Sequence, residues 1–200
     1  MDPLICLASR SPRRHELLLQ IGVPHRILDI EVDESIRIEE SPSDYVLRIS
    51  QDKAKAGLNA LGQGENLPVL AADTCVVIDG RMLGKPTDPD EGCWMLRQLS
   101  GRTHEVYTAV ALDNGGLQSR ISVSQVSFRQ LSLREIERYW NSGEPSDKAG
   151  SYAIQGLAAM FISELRGSYS GVMGLPLFET AELLKGAGIE ILSIYNNKLK

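Results

Sequence analysis

Apolar and polar positions along this chain are arranged in blocks that predict alternating strands and helices. A continuous apolar run at residues 4–8 is followed by a polar turn at residues 9–11 and then by an amphipathic segment. Pro12 suits the first turn of a helix, Ser11 suits its N-cap, and Gly22 suits the position just past its end. The pattern therefore predicts a strand that leads directly into a helix.

The same criteria predict the elements of the remaining chain. Strands are expected where apolar runs lie between turn residues, and helices where apolar residues recur at helical spacing. The predicted strands are 25–28, 68–72, 75–78, 81–84, 103–112, 118–128, 157–165 and 189–192, and the predicted helices are 41–61, 88–99, 133–141 and one after Pro176. Because a hairpin at residues 103–128 interrupts the alternation, we expect an α/β fold with a mixed sheet.

Composition and charge narrow the class of function. The chain has 200 residues, and we expect a single domain over residues 1–200. A formal net charge of −5 argues against a nucleic-acid partner and against an anionic membrane surface. We expect neither a signal peptide nor a membrane span, since no apolar run is long enough. The three scattered cysteines are typical of a reducing compartment, so we expect a cytoplasmic protein.

The turn at residues 9–14 is a candidate anion site. The N-terminus of a helix presents backbone N–H groups and the positive end of the helix dipole, and both favour a phosphate. Arg13 and Arg14 add two permanent cations at a place where the dipole alone disfavours them. Solvated arginines would explain the same pattern, so the turn acts as a phosphate site only if the protein brings an anion there.

Asp73 is the acidic residue that stands out, because it lies between two short apolar runs. An ionised carboxylate in apolar surroundings needs a cation or a metal as its partner. We therefore expect a catalytic or ligand role for Asp73. Asp88 has a simpler explanation as a helix cap, and Lys53 and Lys85 have one as solvated surface charges.

Seven long segments, spread over essentially the whole chain, form an ordered set of motifs. They are LASRSPRRHELL, VDES, QDKAKA, AADTCVVIDGRMLGKPTD, LSGRTHEVYTAVAL, DKAGSYAIQG and GSYSGVMGLPLFET. In this order they resemble the Maf family of nucleoside triphosphate pyrophosphatases, and within it the subgroup that acts on dTTP and UTP. The resemblance implies an elongated, two-lobed single domain with a mixed twisted sheet and a central cleft, related to the inosine triphosphatase fold.

The same resemblance implies an activity and a cofactor. Such enzymes hydrolyse the α–β phosphoanhydride to a nucleoside monophosphate and pyrophosphate, with a divalent metal cation (Mg²⁺ or Mn²⁺). Members are often dimers, so the resemblance is compatible with a homodimer. The substrate would be a nucleoside triphosphate.

Roles for individual residues follow from the matching motifs. The resemblance implies that Asp73 accepts the proton of the attacking water, and that Glu34 and Asp73 hold the metal. It also implies a set of substrate contacts: Ser9, Arg13, Arg14, Lys53 and Lys85 for the phosphates, and Thr74 and Gln155 for the choice of substrate. Arg10 stands where relatives often have a small residue, and the sequence assigns it no role.

Gln155 bears on which base is bound. An amide can donate to O4 and accept from N3–H of uracil or thymine, which is a match of two hydrogen bonds. Guanine offers a similar pair of groups, and a glutamate would favour it by accepting from N1–H and the 2-amino group. Together with Tyr152, Gln155 leads us to expect a pyrimidine nucleotide. The alternative is a loop amide that only satisfies backbone groups.

Other functions are compatible with parts of this pattern. One alternative keeps the enzyme but changes the substrate to 7-methyl-GTP, CTP or a modified pyrimidine nucleotide. Another is a nucleotide-binding regulator of septum formation, which would have little need for a water-activating carboxylate. A generic phosphatase would release orthophosphate instead of pyrophosphate.

Overall fold

The computed structural model describes residues 2–193. Its strands are β1 Ile5–Ala8, β2 His25–Leu28, β3 Val69–Ile78, β4 Arg81–Leu83, β5 Thr103–Asp113, β6 Gln118–Phe128 and β7 Ile162–Arg166. Its α-helices are α1 Pro12–Gln20, α2 Pro42–Asn59, α3 Pro89–Leu99, α4 Leu133–Trp140, α5 Tyr169–Met173 and α6 Leu177–Gly186. Shorter 3₁₀ helices cover Glu144–Asp147, Ala149–Ser151 and Leu157–Phe161.

The strands form a mixed sheet in the order β2-β1-β3-β5-β6-β7, with β4 paired to β3. Strand β1 runs parallel to both β2 and β3. Strand β4 is antiparallel to β3, and β7 is antiparallel to β6. The combination of parallel and antiparallel pairs confirms the mixed α/β fold that the interrupted alternation predicts.

The chain divides into two compact units by its internal contacts. Unit 1 comprises Met1–Asp73, Thr108–Ile121 and Gly174–Lys200, and unit 2 comprises Thr74–Tyr107 and Ser122–Met173. The single domain over residues 1–200 stays a prediction. In the part of the chain that the structure describes, no helix combines the length and the apolar character needed to cross a membrane.

Small side chains bring α2 close to the sheet in unit 1. Ala54 of α2 packs in a core with Ala8, Val69 and Ala71, all of them buried. A Cβ atom at Gly57 would lie only 2.7 Å from Val69 Cγ1 and 3.2 Å from Ala8 Cβ. Glycine at this position therefore allows a close contact between helix and sheet, and that contact sets the depth of the other α2 side chains on the same face.

Four buried aromatic side chains contribute to the core of unit 2, among mostly aliphatic residues. Tyr152 lies edge-on to Phe128, with ring centroids 4.9 Å apart. Tyr139 of α4 lies edge-on to Phe161, with ring centroids 5.2 Å apart. Such pairs are favoured by the aromatic quadrupole and fix ring orientation as well as distance. The Tyr152–Phe128 pair packs the segment around residue 152 against β6.

The first helix begins and ends as predicted, but its N-terminus is capped differently. Pro12 is the first residue of α1, and Gly22 adopts a positive φ of 71° just past its end. Ser11 occupies the N-cap position, yet its side chain makes no capping hydrogen bond. Instead the Ser11 N–H donates to Ser9 Oγ at 3.2 Å. The prediction that the Ser11 side chain caps this helix is therefore wrong.

The structure also corrects two predicted strands. Residues 157–165 begin as a 3₁₀ helix and become strand β7 only at Ile162, because the carboxylate of Glu144 accepts the N–H groups that start the helix. Residues 189–190 are irregular and residues 191–193 are helical, so the predicted strand 189–192 is wrong. The two apolar runs on either side of Asp73 form one continuous strand, β3.

Candidate active site

An ammonium group held between two carboxylates forms the centre of the candidate site in unit 1. Lys53 Nζ lies 2.8 Å from Asp73 Oδ1 and 2.6 Å from Glu34 Oε1. The Lys53 and Asp73 side chains are only 11 % and 10 % exposed, whereas the Glu34 side chain is 49 % exposed. The cation that Asp73 requires is thus supplied by the chain itself, and Glu34 links the pair to solvent.

Strand β3 and helix α2 place this pair. Side chains alternate along a strand, so Asp73 shares a sheet face with Val69 and Ala71. That face packs against Ala54 of α2, and Lys53 directly precedes Ala54. The small-residue core therefore ends at Asp73, where the lysine of the covering helix meets the carboxylate of the strand.

Arg48 of α2 fixes the loop that carries Glu34. Its guanidinium donates to both carboxylate oxygens of Glu40, at 2.6 and 2.7 Å, and to the Ser35 carbonyl at 2.9 Å. The Tyr45 hydroxyl donates to the Glu34 carbonyl at 3.2 Å. The hydrogen bonds from Arg48 lower the pKa of Glu40 to about 2, so this pair is charged at neutral pH. No sequence signal predicts the pair of Arg48 and Glu40, because charged residues eight positions apart leave no periodic pattern.

Arg14 ties the first turn of α1 to the segment before α6. Its Nε donates to the Gly174 carbonyl at 2.7 Å, and its Nη1 donates to Ser9 Oγ at 3.1 Å. Ser9 Oγ also accepts the Ser11 N–H. The Ser9 hydroxyl therefore keeps its own O–H as a donor for a ligand. Burial lowers the pKa of Arg14, while the negative charges of Asp73 and Glu34 raise it. The turn and the carboxylate pair therefore lie close enough to interact electrostatically.

The neighbouring arginines differ in exposure. Arg13 is half-buried, and its charge lowers the pKa of Arg14 beside it. Arg10 is exposed, with its guanidinium 3.3 Å from Asp29 and 3.4 Å from Glu31. Ion pairs that are this exposed contribute little to stability. They account for Arg10 without a contact to substrate.

The predicted site residues fall into two groups. Unit 1 contains Ser9, Arg13, Arg14, Glu34, Lys53 and Asp73, and unit 2 contains Thr74, Lys85 and Gln155. Thr74 follows Asp73 directly in β3, so its side chain points to the opposite face of the sheet. Lys85 is exposed just after β4, where the preceding Gly84 carbonyl accepts the Gly150 N–H at 3.0 Å.

Gln155 is displayed at the surface of unit 2 by a short turn. The turn is closed by a hydrogen bond from the Gly156 N–H to the Ala153 carbonyl, at 3.0 Å. Gln155 is exposed, and within residues 2–193 no hydrogen bond involves its amide. Within the described part of the chain, the Gln155 amide therefore does not satisfy backbone groups, as the alternative interpretation requires. The amide is available to a ligand.

Tyr152 does not share this exposure. It is buried, and its hydroxyl lies 2.8 Å from His104 Nε2. The sequence motif that favours a pyrimidine includes Tyr152 beside Gln155, but this placement gives Tyr152 no exposed group to offer a base. Tyr152 anchors the segment in the core, and Gln155 alone of the two reaches the surface.

The buried His104 predicts a dependence of stability on pH. Burial lowers the pKa of His104 from 6.5 to about 4. Between these two pKa values His104 is therefore protonated in the unfolded chain but neutral in the folded protein. As a result, the free energy of unfolding falls by about 3 kcal/mol as the pH drops from 6.5 to 4. Urea unfolding at pH 7 and pH 4.5 measures this loss, which His104→Gln should remove. An equal loss in wild type and variant would contradict the assignment.

Glu34 and Asp73 carry the carboxylate oxygens of this site that suit a divalent metal, and one oxygen of each contacts Lys53 Nζ. Among the described residues, no group of three or more His, Cys, Asp or Glu side chains could hold an ion. Mg²⁺ needs only one or two carboxylates when substrate phosphates and water complete its shell. The donor chemistry at this site therefore fits a metal that arrives with a triphosphate.

Comparisons with known proteins give a family match and several relatives that are similar over most of their length. The family model described as Maf-like protein matches residues 4–187. A dTTP/UTP pyrophosphatase of Alkalilimnicola ehrlichii is 56% identical over 185 residues, which cover 91% of this chain and 92% of the relative. A dTTP/UTP pyrophosphatase of Nitrosomonas europaea is 54% identical over 198 residues, covering 94% and 96%. A third, of Methylococcus capsulatus, is 51% identical over 189 residues, covering 94% and 93%.

Solved structures give a weaker similarity. The Ham1 protein of Staphylococcus aureus is 14% identical, covers 98% of this chain and 95% of its own, and has a TM-score of 0.43. A dITP/XTP pyrophosphatase of Mycobacterium abscessus is 19% identical, covers 64% and 75%, and has a TM-score of 0.40. At these TM-scores the two solved structures carry no argument about this chain.

Proposed function

Because this chain belongs to the Maf-like protein family, we propose that it hydrolyses dTTP and UTP to the nucleoside monophosphate and pyrophosphate. Three relatives that are 51%, 54% and 56% identical over nearly the whole chain bear the name dTTP/UTP pyrophosphatase. The observation that carries the proposal is the Lys53 ammonium held between Glu34 and Asp73. This contact places a carboxylate that can accept a proton next to a cation that can neutralise phosphate charge.

Asp73 is the proposed general base. Cleavage between the α and β phosphates needs a water that attacks the α phosphorus and a group that takes its proton. The P–O bond to the attacking water forms, the bond to the bridging oxygen breaks, and pyrophosphate leaves. Lys53 compensates the charge of the nearly buried Asp73 carboxylate before the reaction and orients it through a 2.8 Å contact.

The predicted cations and hydrogen-bond donors are proposed to hold the triphosphate. The Ser9 hydroxyl, Arg13 and the N-terminus of α1 offer hydrogen bonds and positive charge at one place. Lys53 and Lys85 are proposed to meet the remaining phosphate charge, which develops further in the transition state. Arg14 has two of its N–H groups committed to protein oxygens, so its first task is to hold the turn in shape.

Glu34 and Asp73 are the residues proposed to hold the divalent metal. Mg²⁺ or Mn²⁺ bound there would neutralise phosphate charge and lower the pKa of a coordinated water. Glu34 suits this role because its side chain is half exposed and its loop is fixed to α2 by Arg48. Addition of a chelator should abolish turnover, and either metal should restore it.

A cytoplasmic location is also part of the proposal. All three cysteines carry free thiols, which suits a reducing compartment. A homodimer, and the absence of a nucleic-acid partner, stay predictions from the sequence.

A nucleotide screen that measures pyrophosphate separately from orthophosphate tests the proposed function. We expect pyrophosphate from dTTP and UTP in the presence of Mg²⁺ or Mn²⁺, and less from CTP, GTP and 7-methyl-GTP. Orthophosphate as the first product would indicate a phosphatase. Tight nucleotide binding without turnover would indicate a regulator, and a strong preference for 7-methyl-GTP would overturn the assignment of the base.

Gln155→Glu should change which base is accepted. The carboxylate can no longer donate to O4 of uracil, but it can accept from N1–H and the 2-amino group of guanine. We expect kcat/KM for UTP to fall about a hundredfold and the ratio of GTP to UTP activity to rise. Gln125→Glu, at another exposed glutamine of unit 2, is the control and should leave the ratio unchanged. An unaltered ratio in Gln155→Glu would remove Gln155 from base recognition.

A further inference from the structure

A single hydrogen-bonded pair, Tyr139 and Glu144, meets the turn that displays Gln155. The Tyr139 hydroxyl donates to Glu144 Oε1 at 2.7 Å and accepts the Ala153 N–H at 3.1 Å. Ala153 is the first residue of the turn, so this hydroxyl fixes the end that precedes Gln155. Both capacities of the hydroxyl, as donor and as acceptor, are used.

The carboxylate of Glu144 fixes the other end of the turn. Its Oε2 accepts the Leu157 N–H at 2.9 Å, and its Oε1 accepts the Ala158 N–H at 3.3 Å. These are backbone donors at the start of the 3₁₀ helix, where a negative charge is favoured. A Cβ atom at Gly156 would lie 2.2 to 2.5 Å from the carboxylate atoms, so the contact requires glycine there.

The surroundings make this pair a rigid support. Tyr139 is 3% exposed, and its ring packs edge-on against Phe161. Ile154, next to Gln155 in the turn, is also buried. Hydrogen bonds to a charged carboxylate are stronger than neutral ones, particularly where water is largely excluded. Gln155 is thus an exposed side chain on a backbone that is held from both sides.

We propose that Tyr139 and Glu144 are positioning residues that hold the Gln155 amide where it reads the base. This inference rests on the proposed function, in which Gln155 binds the pyrimidine. Because the backbone of the turn is already ordered, the free energy of nucleotide binding is not reduced by the entropic cost of ordering that backbone. Loosening the turn therefore weakens recognition of the base, while the phosphate chemistry at Asp73 continues.

A double-mutant cycle with Tyr139→Phe and Gln155→Ala tests this inference. Tyr139→Phe removes the hydroxyl and keeps the ring, so the core stays packed. We expect it to raise KM for UTP about tenfold, in line with the loss of hydrogen bonds to a charged group, and to leave kcat within about twofold. In the Gln155→Ala background the same substitution should have no further effect, because no amide remains to be positioned.

Two matched controls separate positioning from general damage. Tyr107→Phe also removes a hydroxyl that donates to a glutamate, Glu105 at 3.0 Å, but it does so on β5 and should leave KM unchanged. Gly156→Ala displaces the Glu144 carboxylate while leaving the Tyr139 side chain itself unchanged, and it should raise KM as Tyr139→Phe does. Gly116→Ala, where the nearest atom is 3.9 Å away, should not.

Several results would overturn the inference. One is an equal loss from Tyr139→Phe with and without Gln155, and another is a fall in kcat with KM unchanged. A third is a normal KM in Gln155→Ala, which would leave no amide for the pair to position. If the wild type released no pyrophosphate from any nucleotide, the proposed function would fail. The same cycle run on equilibrium binding of UTP would then still decide the inference.

Discussion

Asp73→Asn is expected to lower kcat for UTP about a thousandfold while the protein stays folded. An asparagine has nearly the same shape but cannot take the proton of the attacking water, and general base catalysis contributes roughly 10²- to 10⁴-fold. The amide oxygen can still accept from Lys53, so the contact at 2.8 Å has a neutral replacement. Steady-state release of pyrophosphate measures the loss.

Asp113→Asn is the matched control for this variant. Asp113 is also a buried aspartate of unit 1, and its Oδ1 accepts the Gly115 N–H at 3.1 Å, which an asparagine can accept equally well. We expect its kcat to match that of the wild type. Turnover of Asp73→Asn near the wild-type rate, with normal urea unfolding, would show that another group takes the proton.

Lys53→Met should have the second largest effect. The methionine fills much of the same volume but leaves the Asp73 and Glu34 carboxylates without the ammonium between them. We expect kcat/KM for UTP to fall at least about a hundredfold, because a cation that meets phosphate charge is lost. We also expect the free energy of unfolding to fall by about 2 kcal/mol, less than for a fully buried pair because Glu34 is half exposed.

Lys55→Met provides the comparison, since Lys55 lies on the same helix but is exposed. It should change neither kcat/KM nor the urea midpoint. If Lys53→Met kept its activity, the ammonium would be a structural partner of Asp73 only. A large loss of activity with an unchanged urea midpoint would instead show that the ion pair serves the reaction without contributing to stability.

Local sequence signals predicted most of the element boundaries, because the residues that create them are neighbours in the chain. Pro12 and Gly22 mark the ends of the first helix, and Asp88 caps α3 by accepting the Glu91 N–H at 2.8 Å. The prediction at residue 157 was wrong for the opposite reason. The acceptor that turns this apolar run into a 3₁₀ helix is Glu144, thirteen residues earlier, and no periodicity connects the two.

The candidate site shows the same limit. Burial physics predicts that Asp73 needs a cation, but it does not say which one. Lys53, twenty residues earlier, becomes the partner only because α2 packs over β3. A family motif indicates Gln155, whereas no sequence signal indicates Tyr139, because its hydroxyl accepts a backbone N–H fourteen residues away.

The close contact of α2 at Gly57 has an evolutionary consequence. Lys53 and Gly57 are four residues apart and therefore lie on the same side of the helix. A larger residue at position 57 would lift the helix from Val69 and widen the gap that the lysine side chain bridges. Substitution at position 57 would therefore be tolerated only after a compensating change in the strand below. The four-residue spacing between Lys53 and Gly57 therefore helps to fix the distance between the Lys53 ammonium and Asp73.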